Sequence, residues 1–193
     1  MLSLKERIDL LENDLKADPP RISVYHDLPF AILRYEPQEE WILRREVKLL
    51  ATRLKTAGKE VVTISLAKLL WDTIENAEGV EAIIDLERRQ GFNRAQEQIT
   101  TYLSDPNWYL LPVLLANEMN KYNPNKNIIF LNRAASLSPA IYHLSKLLDE
   151  MQVHTKVPAI LFYPGSLEGA TGLRYMAIKD RESFGNYRVK IYG

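Results

Sequence analysis

The chain has 193 residues, 46% of them hydrophobic and 26% charged, enough for one well-buried core and short for two. Its 25 basic and 25 acidic residues cancel, unlike the basic excess usual in a general nucleic-acid binder. It has no cysteine, which excludes a disulfide scaffold, a thiolate metal site and a cysteine nucleophile.

The first turns mix acids and bases, unlike a secretory signal, and no apolar run approaches the roughly 20 residues that span a bilayer. A cytoplasmic protein without a membrane segment is expected. Residues 1–18 read as an N-terminal helix. Ser3 and Glu6 have capping-box spacing, and Leu4, Ile8, Leu11 and Leu15 recur with helical period before Pro19-Pro20.

Phe30–Tyr35 is a short strand stopped by Pro37. A helix from about Glu39 to Ala57 follows, with the stripe Leu43, Val47, Leu50 and Leu54, a Glu40/Arg44 pair four apart, and Gly58 at its C-terminal cap. Glu60–Leu66 is a buried strand rich in β-branched residues. From Ala67 to about Tyr122 the pattern is helical, broken at Gly79, Gly91 and Asp105-Pro106, with Pro112 suited to a first turn. Asn127–Leu131 is the next strand, and Ser138-Pro139 opens a helix with the stripe Ala140, Leu144, Leu147 or Leu148, and Met151. An apolar run ending at Tyr163 then empties into a loop containing Gly165, Gly169 and Gly172.

Strands near residues 30, 60, 127 and 158, separated by helices, predict crossover connections. The fold class is therefore α/β, a mainly parallel central sheet flanked by helices, in a single domain over 1–193. The runs Leu173–Ile178 and Tyr187–Tyr192 lie too close for a helical crossover, so they are expected as a C-terminal antiparallel edge or hairpin.

In such a sheet, ligands gather at the carboxyl ends of the strands. Glu36, Ser65, Asn132, Arg133 and Tyr163 should meet along that edge as a crevice. They contain no base paired to a nucleophile, so no catalytic residue is assigned. Arg133 or Arg174 has the forked guanidinium that binds carboxylate or phosphate, although such residues are more often loop ion pairs. The glycines of the loop match neither the Rossmann nor the P-loop spacing, and Glu168 would repel a phosphate. His26, His143 and His154 share no ligand spacing, so no metal and no cofactor is expected. Trp108 and Tyr109, between two prolines, would suit a protein interface if exposed. Asp72 to Glu87 holds six acids and no base, while the C-terminal strands are basic. The plain reading is solvated surface; the sharper one is a pair of complementary charged faces.

The stretches Leu43-Arg-Arg-Glu-Val-Lys-Leu-Leu50, Leu147-Leu-Asp-Glu-Met151, Ile160-Leu-Phe-Tyr-Pro-Gly165 and Tyr187-Arg-Val-Lys190 together resemble the BrxB family of bacteriophage exclusion (BREX) systems. The likeness runs from Phe30 to the C-terminus, and the Phe-Tyr-Pro-Gly turn and Tyr-Arg-Val-Lys ending are its most specific pieces. The resemblance implies a cytoplasmic factor acting beside a large ATPase, an adenine-specific DNA methyltransferase and a PglZ-type protein of alkaline-phosphatase-like fold. It implies an accessory subunit docking on the PglZ-type component, and it carries no catalytic residues.

The expected function is thus a non-catalytic assembly subunit of a phage-defence complex. Its partner-binding residues would be Tyr163, Gly165, Glu168, Gly169, Arg174, Arg188 and Lys190. The alternative is a nucleotide-binding module or hydrolase using the crevice of Glu36, Ser65, Asn132 and Arg133. A weaker one is DNA contact through Arg174, Lys179, Arg181, Arg188 and Lys190, which would require steep salt dependence.

Overall fold

A computed structural model describes residues 2–23, 28–137, 141–151, 154–169, 172–177 and 189–193. Helix α1 spans Leu4–Lys16; the Ser3 amide donates to Glu6 Oε2 at 2.7 Å and the Glu6 amide to Ser3 Oγ at 3.3 Å, the expected capping box. Leu4, Ile8, Leu11 and Leu15 form its buried stripe. Strand β1 (Phe30–Tyr35) is buried throughout. Helix α2 (Glu40–Thr56) buries Leu43, Leu50 and Leu54 with Val47 half-buried beside them, and Gly58 takes a φ of 80° just beyond its end.

Strand β2 (Glu60–Ser65) passes directly into α3 (Leu66–Ala77), because the Ser65 hydroxyl accepts from the Lys68 amide at 3.3 Å and caps that helix. Helices α4 (Val80–Gln90), α5 (Phe92–Ser104) and α6 (Leu111–Met119) follow, divided where the glycines and Asp105-Pro106 predict. Strand β3 (Asn127–Asn132) leads through a short 3-10 turn to α7 (Leu144–Met151). The expected helix start at Ser138-Pro139-Ala140 lies outside the described residues, and Ile141–His143 are not helical. The stripe Leu144, Leu147, Leu148 and Met151 is buried as expected.

Strand β4 covers Ala159–Glu168, β5 Gly172–Tyr175 and β6 Lys190–Tyr192. The order β2-β3-β4-β1-β6 is parallel at every pairing, with Ser65 level with Asn132, Leu131 with Leu161, and Arg34 with Tyr163. Among the described residues antiparallel pairing is confined to β4 and β5, which aligns Gly165 with Tyr175. The expected antiparallel edge is β5, which folds back on β4; among the described residues the second C-terminal run is β6, which lies parallel to β1 on the far edge. The presumed loop after Tyr163 is also strand, because β4 continues past the sheet edge and β5 satisfies its backbone.

Alternating strand residues point to opposite faces. Ala31, Leu33, Ile128, Phe130, Ile160 and Phe162 pack under α1 and α2, with the Phe130 and Phe162 rings edge to face at 5.2 Å. Ile32, Ile129, Leu131 and Leu161 pack under α3 and α5–α7. Trp108 and Tyr109 are only 36% exposed: the Trp108 ring lies 4.9 Å from Tyr102, and the Tyr109 hydroxyl donates to the Asn76 carbonyl at 3.1 Å.

The edge strand β6 is tied to α1 by side chains. Lys190 Nζ reaches Asp14 Oδ2 at 2.5 Å and the Tyr192 hydroxyl donates to the same oxygen at 2.7 Å. Burial pushes the Asp14 carboxyl up, but the hydrogen bonds from Lys190 and Tyr192 and the fields of Lys190 and Arg21 outweigh it and hold it below its ordinary value. A depressed folded-state value stabilises the protein above the unfolded value of about 3.9 and is lost as pH falls through the lower folded one. Asp14→Asn should therefore cost about 1 kcal/mol at pH 7 and lose that difference in acid, as read by urea unfolding at pH 7 and pH 3.

Candidate functional site

The carboxyl ends of β1, β3 and β4 open onto a crevice formed by two adjoining hollows of about 340 and 280 Å³. Tyr35, Glu40, Arg44 and Arg133 line both. Helix α2 follows β1 after a single 3-10 turn, Pro37–Glu39, and brings Glu40, Arg44 and Lys48 to the rim. Leu43, Val47 and Phe162 supply an apolar wall in the larger hollow.

Of the residues expected here, Asn132 and Arg133 line the crevice. Arg133 is exposed and has a φ of 57°, and its carbonyl accepts from the Ser136 amide at 3.1 Å and the Ser136 hydroxyl at 2.8 Å. Asn132 Oδ1 is buried and has no hydrogen-bond donor among the described residues. Ser65 stands level with Asn132 in the sheet but spends its hydroxyl on capping α3. Glu36 pairs with Arg34. Tyr163 is 3% exposed and lies in the core beneath α3–α7, edge to face with Tyr175 at 6.4 Å.

Tyr35, Glu40, Arg44 and Lys48 complete the crevice without having been legible as site residues. The Tyr35 hydroxyl donates to Glu40 Oε2, and Arg44 Nε donates to Glu40 Oε1 at 2.7 Å. Burial first, and the Glu40 carboxylate second, push the Tyr35 hydroxyl far above its ordinary range, so it remains a donor at any working pH. The one signal in the chain was the Glu40/Arg44 spacing, which alone reads as a helix-stabilising pair.

Behind the crevice, two guanidinium groups are buried. Arg34 is fully enclosed, and one of its Nη1 bonds reaches the Gly165 carbonyl at 3.4 Å. Arg7 donates to the Arg34 carbonyl at 2.8 Å, to the Ser3 carbonyl at 3.3 Å and to Glu39 Oε2 at 3.3 Å. Glu39 also accepts from the Glu36 amide at 3.0 Å. The network stitches α1, β1, the turn into α2, and β4.

On the β4–β5 hairpin, Arg174 pairs with Glu168, and Gly169 occupies the turn with a φ of 64°. Gly165 is forced by space, since a Cβ there would overlap the Arg174 carbonyl and lie 2.9 Å from Tyr163 Cε1. Lys190 is engaged by Asp14. Arg188, Lys179 and Arg181 lie outside the described residues, as does His26. His143 and His154 flank opposite ends of α7, and among the described residues no three His, Cys, Asp or Glu side chains converge as a metal site. Among them, too, no helix is long and apolar enough to cross a membrane.

The acidic run is partly offset by its flanks, with Lys68 on Asp72 and Arg88 3.4 Å from Asp85. Glu78 accepts from the Tyr102 hydroxyl, whose pKa burial and that bond raise to about 12.

Comparison with known proteins adds family information that the geometry lacks. The family described as BREX protein BrxB matches residues 62–190. A BREX protein BrxB of Bacillus cereus (strain H3081.97) is 22% identical over 160 residues, covering 80% of each chain. No solved structure matches. A family match over residues 62–190 covers most of the sheet, from β2 to the start of β6, and on that footing the chain belongs to the BrxB family.

Proposed function

We propose that this chain is an accessory, non-catalytic assembly subunit of a BREX-type anti-phage defence complex, docking on a PglZ-type partner. The observation that carries the reading is the family match over residues 62–190. The partner surface includes the β4–β5 hairpin, where Glu168 and Gly169 are exposed and Arg174 is half-buried. It extends over the outer face of α2, where Trp41 is 76% exposed with Ile42 and Leu49 on the same side. An exposed Trp beside Arg44, whose guanidinium stands 4.7 Å over its ring, is the residue pairing that dominates many interfaces. DNA contact has less support, because Arg174 and Lys190 already answer acids of the chain itself.

Affinity capture of each tagged defence component with this chain tests the proposal. Retention by the PglZ-type protein is expected, and a chain retained by none of the components overturns it. Trp41→Ala should weaken the complex about tenfold or more. Reversing Arg174 alone would also break the hairpin pair, so the informative variant exchanges both charges, Glu168→Arg with Arg174→Glu. The exchange keeps the pair, so unchanged melting with lost binding places the hairpin in the interface. Intact binding removes it from the interface.

A further inference from the structure

We propose that the crevice above β1, β3 and β4 is a binding site for a nucleoside phosphate. The chain leaves β1 for α2 on one face of the sheet and leaves β3 for α7 on the other, with β4 between them. Connections departing to opposite faces leave a gap at the strands' carboxyl ends, which is where doubly wound sheets hold ligands. Both hollows lie in that gap, and the larger is of the size that small-ligand sites begin at, about 300 Å³.

The charge of the lining is cationic. Its one acid among the described residues, Glu40, is occupied by the Tyr35 hydroxyl and by Arg44. Lys48 and Arg133 are exposed, and no ion pair reaches either among the described residues. Two unanswered cations flanking a neutralised acid suit a phosphate, and the guanidinium fork of Arg133 suits its oxygens. Arg133 is also held at a positive φ by two bonds from Ser136, a conformation that a bulky residue rarely adopts without a surrounding structure to enforce it.

Asn132 calls for a donor in addition to the anion. Its Oδ1 is buried at the crevice wall and accepts nothing from the described residues, whereas buried acceptors are almost always satisfied. The ionised phosphate ester of a nucleotide has no proton to donate to it, and inorganic phosphate has only a P–OH; an exocyclic amino group or a sugar hydroxyl supplies the donor while the phosphate stays with the cations. Leu43 and Phe162 give the apolar flank that a base requires. Phosphate on the rim and a hydrogen-bonding, partly apolar body inside together describe a nucleoside phosphate.

Calorimetric titration of the whole chain with AMP, ATP, adenosine and inorganic phosphate tests this. AMP or ATP should give saturable heat, with adenosine and inorganic phosphate each at least about tenfold weaker, since each keeps only one half of the contacts. Arg133→Ala and Asn132→Leu should each weaken the nucleotide about tenfold, while Arg94→Ala, remote on α5, should not. Arg133 and Arg94 are exposed, so these variants remain folded even where Asn132→Leu does not. No heat from either nucleotide at several millimolar overturns the proposal. So does binding indifferent to Arg133→Ala, or binding matched by inorganic phosphate alone. The result is independent of affinity capture, so loss of this site leaves partner docking standing.

Discussion

Gly165→Ala is expected to destabilise the protein by about 3 kcal/mol and lower its melting temperature by roughly 6–12 °C. The added Cβ would overlap a backbone carbonyl, that of Arg174, and would stand 3.1 Å from the Arg174 carbonyl carbon and 2.9 Å from the Tyr163 ring. Neither is the free end of a flexible chain. Arg174 is fixed in β5 opposite Ser166, and Tyr163 is enclosed in the core. Moving β5 away would break the pairing that holds β4 beyond the sheet edge, and shifting β4 would disturb the Gly165 carbonyl that accepts from Arg34. The control is Gly169→Ala in the same hairpin. Gly169 has a φ of 64° and open space around it, so an alanine meets only backbone strain of about 1 kcal/mol. Thermal unfolding followed by circular dichroism should separate the two. Equal costs would mean that the hairpin yields freely and that Gly165 is not sterically required.

The contrast between these two glycines shows what the residues disclose locally and what they withhold. Helices α1 and α2 are legible because their apolar stripes recur with the period of the helix and their caps are local chemistry. Strand β3 and the parallel order are legible from apolar runs spaced by helices. Nothing local announces that Pro164-Gly165-Ser166 is strand, because its extended conformation depends on β5 arriving to pair with it. Likewise Lys190–Tyr192 gives no sign that its neighbour is β1, more than 150 positions earlier in the chain. The crevice divides in the same way. Asn132 and Arg133 follow from the rule that strand ends collect ligands, since Asn132 closes β3 and Arg133 comes next. Ser65 and Glu36 sit at strand ends too, yet a helix cap and an ion pair consume them. Tyr35, Glu40 and Arg44 required the docking of α2 over the sheet, which periodicity predicts as a buried face but not as a register.

The second large effect concerns the buried guanidinium groups. Glu39→Ala should cost about 3 kcal/mol, more than its surface position suggests. Arg7 is 2% exposed and Arg34 fully enclosed, so their two positive charges rest on Glu39 and Glu36. Burial and then the charge of Arg34 pull the Arg7 pKa below its ordinary value, and the carboxylates of Glu39 and Glu36 oppose that fall. Removing Glu39 withdraws a counter-charge and also frees the Glu36 amide, which donates to the same oxygen. Replacing the cation instead is milder: Arg7→Met fills a similar volume, and Glu39, 28% exposed, can turn to water. The two substitutions should therefore not add. Arg7→Met combined with Glu39→Ala should be more stable than Glu39→Ala alone, with a coupling of about 1.5 kcal/mol in a urea-unfolding cycle. Strict additivity would mean that water already reaches Arg7. In that case the apolar stripe of Leu4, Ile8, Leu11 and Leu15 would hold α1 to the sheet without help from its charges.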